Sequence, residues 1–211
     1  MNEKIVKTKE GIELSYKLSN NGINSNLYLD CSNIDELPDN LTIEGNLKLK
    51  DTQIKKLPNN LIINGHISFY HSLITEIPSD ITVYGMYLNN SLITKLPDNL
   101  TVKGILDLNG SLVTELPDNL TVGDLRFSRS KINKLPNNLT INRSFSIDKQ
   151  ITELPDNLTI NGSLYIDKTS ISKLPNKLFV KGTLYLNEKI TLLPDDLIVK
   201  GSITRQRILY K

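Results

Sequence analysis

A mainly β solenoid, built by stacking one short structural unit, is predicted by three observations on this 211-residue chain. All nine prolines fall on one lattice: Pro38, Pro58, Pro78, Pro97, Pro117, Pro136, Pro155, Pro175 and Pro194, at intervals of 19 or 20 residues. Proline fixes φ and cannot donate to a ladder, so an even spacing means that one turn is built repeatedly. The apolar residues keep a constant register to each proline. The short apolar runs alternate with period two and show no helical period, which argues for brief, half-buried strands.

The elements of one unit follow in order. Leu or Ile precedes each proline, from Leu37 to Leu193, and Leu or Ile stands three residues after it, from Leu41 to Leu197. Two residues further comes a β-branched residue (Ile43, Ile63, Val83, Val102, Val122, Ile141, Ile160, Val180, Val199). A turn glycine usually follows, and Arg143 replaces it in the Pro136 unit. An apolar-x-apolar triplet such as Leu47-Lys48-Leu49 or Leu106-Asp107-Leu108 supplies the strand. Ile or Val four residues before the next proline, Ile34 to Ile190, closes the unit. About six apolar side chains per unit then point inward, and only stacking can bury them. Nine units at the strand spacing give an array on the order of 45 Å long.

The segment Leu47 to Leu61, LKLKDTQIKKLPNNL, resembles the leucine-rich-repeat signature LxLxxNxLxxLPxxL, with Thr52 in the Asn position. Ser32, Ser72, Ser91, Ser111, Ser130 and Thr169 occupy that position elsewhere, and Lys149 and Glu188 break it; the hydroxyls are expected to bond to neighbouring backbone as a ladder. The resemblance covers residues 26 to 203, and the short unit with its LPxxLxVxG core is similar to the bacterial type found in secreted effectors and bacteriophage-encoded proteins. It implies a curved horseshoe with one short parallel strand per 19–20-residue repeat, preferred over a straight β-helix because each unit has a single proline corner and a single LxL strand. It also implies a non-enzymatic, protein-binding role on the concave face, with a host-derived protein as partner.

Residues 1–25 and 204–211 leave the pattern. Ile12, Leu14, Tyr16 and Leu18 alternate, and Lys9-Glu10-Gly11 is placed to turn them back onto Ile5-Val6, so residues 1–25 read as an N-terminal β-hairpin cap. Ile208, Leu209 and Tyr210 read as a C-terminal cap over the array at 26–203, and with both ends covered a monomer is expected. Twenty-five basic against 23 acidic residues give no bias toward polyanions. No apolar run is long enough for a membrane span, and MNEKIVKTKE lacks a signal-peptide core. One cysteine, Cys31, precludes an internal disulfide, and the expected setting is the cytoplasm of a bacterium or phage-infected cell.

Catalytic chemistry is not expected. His66, His71 and Cys31 are the whole set of soft ligands and strong nucleophiles, and their spacing joins no two of them at one metal; no cofactor is expected. No phosphate loop, dinucleotide fingerprint or nucleophile elbow occurs. Asp39, Asp98, Asp118, Asp156 and Asp195 follow proline, where they suit a turn. Five Asn-Leu-Thr triplets, at Asn40, Asn99, Asn119, Asn138 and Asn157, match the glycosylation pattern but are read as turn chemistry at a packed position. Two residues before the first eight prolines the charge alternates, Glu36, Lys56, Glu76, Lys95, Glu115, Lys134, Glu153, Lys173, and Leu192 ends the series before Pro194. Stacked neighbours of opposite sign make this a register-fixing ladder.

Function is sought where the repeat does not dictate the residue. The middle of each LxL triplet faces outward: Tyr28, Lys48, Ser68, Tyr87, Asp107, Arg126, Ser146, Tyr165, Tyr185. The next outward column reads Asp30, Lys50, Tyr70, Asn89, Asn109, Ser128, Asp148, Asp167, Asn187. Five of eight tyrosines fall in these columns, and tyrosine and arginine anchor interfaces most often. The expected partner-binding set is therefore Tyr28, Lys48, Tyr70, Tyr87, Asp107, Arg126, Arg129, Tyr165 and Tyr185. Arg126, Arg129 and Arg143 cluster with Phe127 and Phe145 in one distorted stretch suited to an acidic loop or a phosphate. The alternative reading is a nucleotide or nucleic-acid binder that stacks bases on the tyrosines, or a structural virion component.

Overall fold

The computed structural model describes residues 2–7, 13–19, 22–23, 26–30, 34–79, 81–98 and 100–205. It is an all-β solenoid of about nine turns, its parallel strands about 19 residues apart in sequence, with no helix among the described residues. The stacking follows from the turn composition. In the turn holding Pro97, the side chains of Leu96, Leu100, Val102, Leu106, Leu108 and Val113 are all buried, and the same six positions of neighbouring turns lie above and below them. That continuous apolar column is the core.

The LxL strand expected of each turn is present, and a second short strand accompanies it. One row contains dipeptides that end in a β-branched residue, most of them begun by threonine: Thr42–Ile43, Ile62–Ile63, Thr82–Val83, Thr140–Ile141, Thr159–Ile160, Phe179–Val180 and Ile198–Val199. The other contains Leu27–Tyr28, Leu47–Lys48, His66–Ser68, Gly85–Tyr87, Phe145–Ser146, Leu164–Tyr165, Leu184–Leu186 and Ile203–Arg205. Thr101–Asp107 and Thr121–Arg126 run through both rows and fuse them into the largest sheet. Threonine and β-branched residues fit such pleated, half-buried positions.

At the N-terminus, β1 (Asn2–Lys7) and β2 (Glu13–Ser19) pair antiparallel, with Ile5 opposite Ser15 and Val6 opposite Leu14. Next, β3 (Gly22–Ile23) pairs antiparallel with β2 and parallel with Thr42–Ile43, which attaches the hairpin to the first turn. The turn expected at Lys9-Glu10-Gly11, the column residues Cys31 and Ser32, and the tail Ile208-Leu209-Tyr210 lie outside the described residues. Within them, Leu192, Leu193, Ile198 and Ile203 of the last turn are exposed.

Vertical side-chain ladders tie the turns together, on other columns than the sequence suggests. Asn40, Asn60, Asn119, Asn138 and Asn157 adopt φ between 54° and 60°, a left-handed conformation that asparagine tolerates better than most residues. Their amides stack: Asn60 Nδ2 donates to Asn40 Oδ1 at 3.0 Å, Asn138 to Asn119 at 2.9 Å, and Asn157 to Asn138 at 3.0 Å. These asparagines are exposed, so the Asn-Leu-Thr position is packed only at its leucine. Beside them, the carboxylates of Asp39, Asp118 and Asp156 accept the backbone N–H of Asn59, Asn137 and Asn176 one turn on, at 2.8–2.9 Å. In the column expected to form the hydroxyl ladder, Thr52 and Thr169 instead donate to carbonyls three residues back in their own turn. The Ser72, Ser91 and Ser111 hydroxyls are buried without a protein partner.

The alternating Glu and Lys column is exposed, and no Glu–Lys ion pair within 4.0 Å forms in it among the described residues. An influence on stability would therefore act through the longer-range field rather than through contact pairs. Lys95→Glu places a third carboxylate between Glu76 and Glu115 and is expected to lower the melting temperature by about 1–3 °C at low salt, with most of that drop gone near 1 M salt. Thermal melts of both proteins at the two salt concentrations check this, and an equal drop at both would remove the electrostatic account.

Candidate functional site

The outward columns have the register read from the sequence. Strand pairing sets Tyr28 beside Lys48, Lys48 beside Ser68, Ser68 beside Tyr87, Tyr87 beside Asp107 and Asp107 beside Arg126. On the far side of Arg126 the series resumes with Ser146, Tyr165 and Tyr185. Tyr28 is the most open of the tyrosines in these columns at 53% exposure; Tyr70, Lys48, Arg126, Arg129 and Tyr165 are exposed, and Tyr87 and Tyr185 are half-buried.

The column holds two aromatic groups of different character. At the N-terminal end Lys48 Nζ lies 4.6 Å over the Tyr28 ring and Lys50 Nζ 5.6 Å over Tyr70, and Tyr70 stacks on His71 at 4.1 Å. At the C-terminal end Tyr165 and Tyr185 stack at 4.5 Å with planes 8° apart, giving a flat aromatic platform. Between the two groups His66 packs against Tyr84 at 5.2 Å and Tyr87 at 5.7 Å, with its Nδ1 buried and unbonded. Such amphipathic rings present large contact area with few rotatable bonds, which suits interface anchoring.

One expected contact residue belongs to the interior. Asp107 is only 8% exposed. Its Oδ1 accepts from Asn89 Nδ2 at 3.1 Å and from the Asn109 N–H at 3.0 Å. It has the same outward parity as Tyr87 and Arg126, but the Asn89 side chain of the adjacent column and the Asn109 backbone hold its carboxylate in. Asp107 therefore braces its own turn against the preceding one, and its carboxylate is engaged rather than offered to a partner. Arg126, its neighbour, is turned toward Asp124, with Nη2 3.2 Å from Oδ2. Arg129 is exposed at φ 59°, in the positive-φ column that holds Asp51, His71 and Asn90 in earlier turns.

A surface that the sequence reading missed lies on the other side of the LxL strand. Leu73, Leu92 and Leu112 occupy one position in three consecutive turns and are 37%, 46% and 40% exposed. The signal was present as the thrice-repeated Ser-Leu-(Ile/Val)-Thr, in which the leucine sits between a buried serine and a buried branched residue. An open groove of about 920 Å³ runs between the first two proline corners and is walled by Asp35, Glu36, Pro38, Lys55, Lys56 and Pro58. It shares no residue with the tyrosine columns. A furrow of about 440 Å³ recurs at Leu116 to Pro136, so it is a feature of the repeat rather than a site. Among the described residues no cluster of three His, Cys, Asp or Glu side chains is arranged to hold a metal ion. No family profile, curated protein or solved structure matches this chain.

Proposed function

We propose that this chain is a non-enzymatic protein-binding solenoid that holds its partner on the outward columns of the LxL row. The observation that carries the reading is the outward-facing aromatic series on the strand ladder, Tyr28, Tyr70 and Tyr165 exposed and Tyr87 and Tyr185 half-buried, with Lys48 and Arg126 between them. Rings fixed at strand spacing lose little further freedom on binding, which favours affinity. The resemblance to short bacterial leucine-rich repeats supports the same face, and by analogy a host protein as partner of a phage-encoded or effector protein in the cytoplasm. Asp107 is left out of the contact set because its carboxylate is already engaged.

Replacing Tyr87, Arg126 and Tyr165 together with alanine is expected to abolish partner capture while the melting temperature stays within a few degrees of wild type. Replacing the exposed Thr101 and Thr121 of the other row with alanine is expected to leave capture intact. Pull-down from bacterial lysate with mass-spectrometric identification reads both. Capture that depends on Thr101 and Thr121 would move the site to the opposite row. The stacked Tyr165–Tyr185 pair also suits a nucleobase, which is the second reading. A net charge of +2 disfavours long nucleic acid. Anisotropy with labelled single-stranded oligonucleotides, repeated at raised salt, separates the two.

A further inference from the structure

Among the described residues the LxL row is broken once, in the middle of the array. In regular turns each core-facing residue of this row donates its N–H to the turn that follows: Leu27 to the Asn46 carbonyl at 2.7 Å, Leu29 to Lys48 at 3.0 Å, Leu108 to Arg126 at 2.7 Å, Phe145 to Ser163 at 2.8 Å and Ile147 to Tyr165 at 3.0 Å. Among the described residues no such bond joins Leu125 or Phe127 to Ser144 or Ser146, and the strands on the two sides belong to separate sheets. The opening is confined to this row. In the other row Thr140 N–H donates to the Leu120 carbonyl at 2.9 Å and Asn142 N–H to Val122 at 2.8 Å. On the far side Gln150 Nε2 reaches Ser130 Oγ at 3.5 Å and the Ile132 carbonyl. The two turns are thus held together at both flanks and parted between them.

The sequence explains the parting. The glycine column packs backbone on backbone: a Cβ on Gly123 would lie 2.6 Å from the Gly104 oxygen, one on Gly162 2.4 Å from the Ser144 nitrogen, and one on Gly201 2.5 Å from the Gly182 oxygen. Arg143 carries a Cβ in that column, so its turn cannot approach the one before it as closely. Phe127 and Phe145 fill the core in the same two turns, both buried, with ring centroids 6.2 Å apart. The result is a groove of about 550 Å³ on the outer face, lined by Arg126, Ser128, Ser146, Asp148, Lys149 and Lys168 among others.

We propose that this open rung is a docking slot for an extended, carboxylate-bearing peptide segment that enters as a β-strand. Leu125 and Phe127 supply N–H donors to one side of the slot, and Ser144 and Ser146 supply carbonyls to the other, as their counterparts do across closed rungs. Separated strands present an unfilled ladder, and an added strand fills it through its main chain while its side chains set specificity. The rim favours an acidic segment. Arg126 already engages Asp124, which leaves Lys149 and Lys168 against Asp148 alone, with Arg129 and Arg143 exposed nearby in the same two turns. This proposal rests on the binding-module reading and gives it a partner class.

The test separates the gap from the charge. Arg143→Ala keeps the Cβ and so the gap; Arg143→Gly restores the regular column and lets the rung close. The probes are fluorescein-labelled heptapeptides: Thr-Glu-Val-Glu-Val-Glu-Thr, the same with lysine for glutamate, and the acidic peptide with proline at its centre. Wild type is expected to bind the acidic peptide at least about tenfold tighter than the other two, by anisotropy. Arg143→Ala is expected to stay within about threefold of wild type, and Arg143→Gly to lose at least about tenfold while melting no lower than wild type. The amide protons of Leu125 and Phe127 are expected to slow in exchange when the acidic peptide is added. Failure of the acidic peptide to bind, equal binding of the proline peptide, or unchanged binding by Arg143→Gly would overturn the slot. If the slot fails while capture still depends on Tyr87 and Tyr165, the binding-module reading stands without it.

Discussion

Replacing Gly123 with valine is expected to lower the melting temperature by about 10 °C, following from roughly 3 kcal/mol of overpacking. A Cβ there would stand 2.6 Å from the Gly104 oxygen, 2.7 Å from the Lys103 oxygen and 2.9 Å from the Gly104 Cα. All three are backbone atoms of the preceding turn, so no side chain can rotate away; the turns themselves must part. Because each turn contacts only its neighbours, this loss falls on one interface and splits the array into two weakly coupled blocks. Gly110 supplies the control. Its φ is +62° and a Cβ added to it meets nothing within 4 Å, so Gly110→Ala meets only backbone strain, about 1 kcal/mol or about 3 °C. Thermal melts by circular dichroism compare the two, and a Gly123→Val protein that melts like wild type would mean that the turns are not in backbone contact.

The second large effect is expected at Asn138. It holds φ 56°, donates to Asn119 Oδ1 at 2.9 Å and accepts from Asn157 Nδ2 at 3.0 Å. Asn138→Val puts a β-branched residue into the left-handed region and removes both rungs, which together should cost about 3 kcal/mol. Asn138→Gly keeps the conformation and removes only the amide, so it should cost about 1 kcal/mol. Chemical denaturation of both variants measures the difference. Equal losses would show that the backbone conformation carries none of the effect.

Much of this architecture was legible because the repeat reports parity and spacing directly. The proline lattice located the corners, and the alternation around Leu106-Asp107-Leu108 told which side chains enter the core. The second strand row was harder to read, since a dipeptide such as Thr140–Ile141 is too short to display an alternation. The asparagine ladder was visible only as a glycosylation-like triplet, because a positive φ leaves no period in the sequence. Parity also failed at Asp107. Its side chain points outward like that of Tyr87, but burial there depends on Asn89 and Asn109, which belong to another column. The alternating Glu and Lys residues were legible as a pattern, while their distance from one another was not. Arg143 was recognisable as an irregularity, but that it opens one row and spares the other follows only from the close backbone packing of the glycine column.

Residue-resolved amide hydrogen exchange on the free protein tests the central claim most directly. A stacked solenoid with one open rung should show protection recurring every 19 or 20 residues at the core-facing amides of the LxL row, with Leu29, Leu49, Leu88, Leu108, Ile147 and Ile166 slow. Leu125 and Phe127 should break that series and exchange at least about tenfold faster, while the Thr140 and Asn142 amides of the neighbouring row stay protected. Protection without this period would contradict the stacked-turn fold, and a slow Leu125 and Phe127 in an otherwise periodic pattern would contradict the open rung.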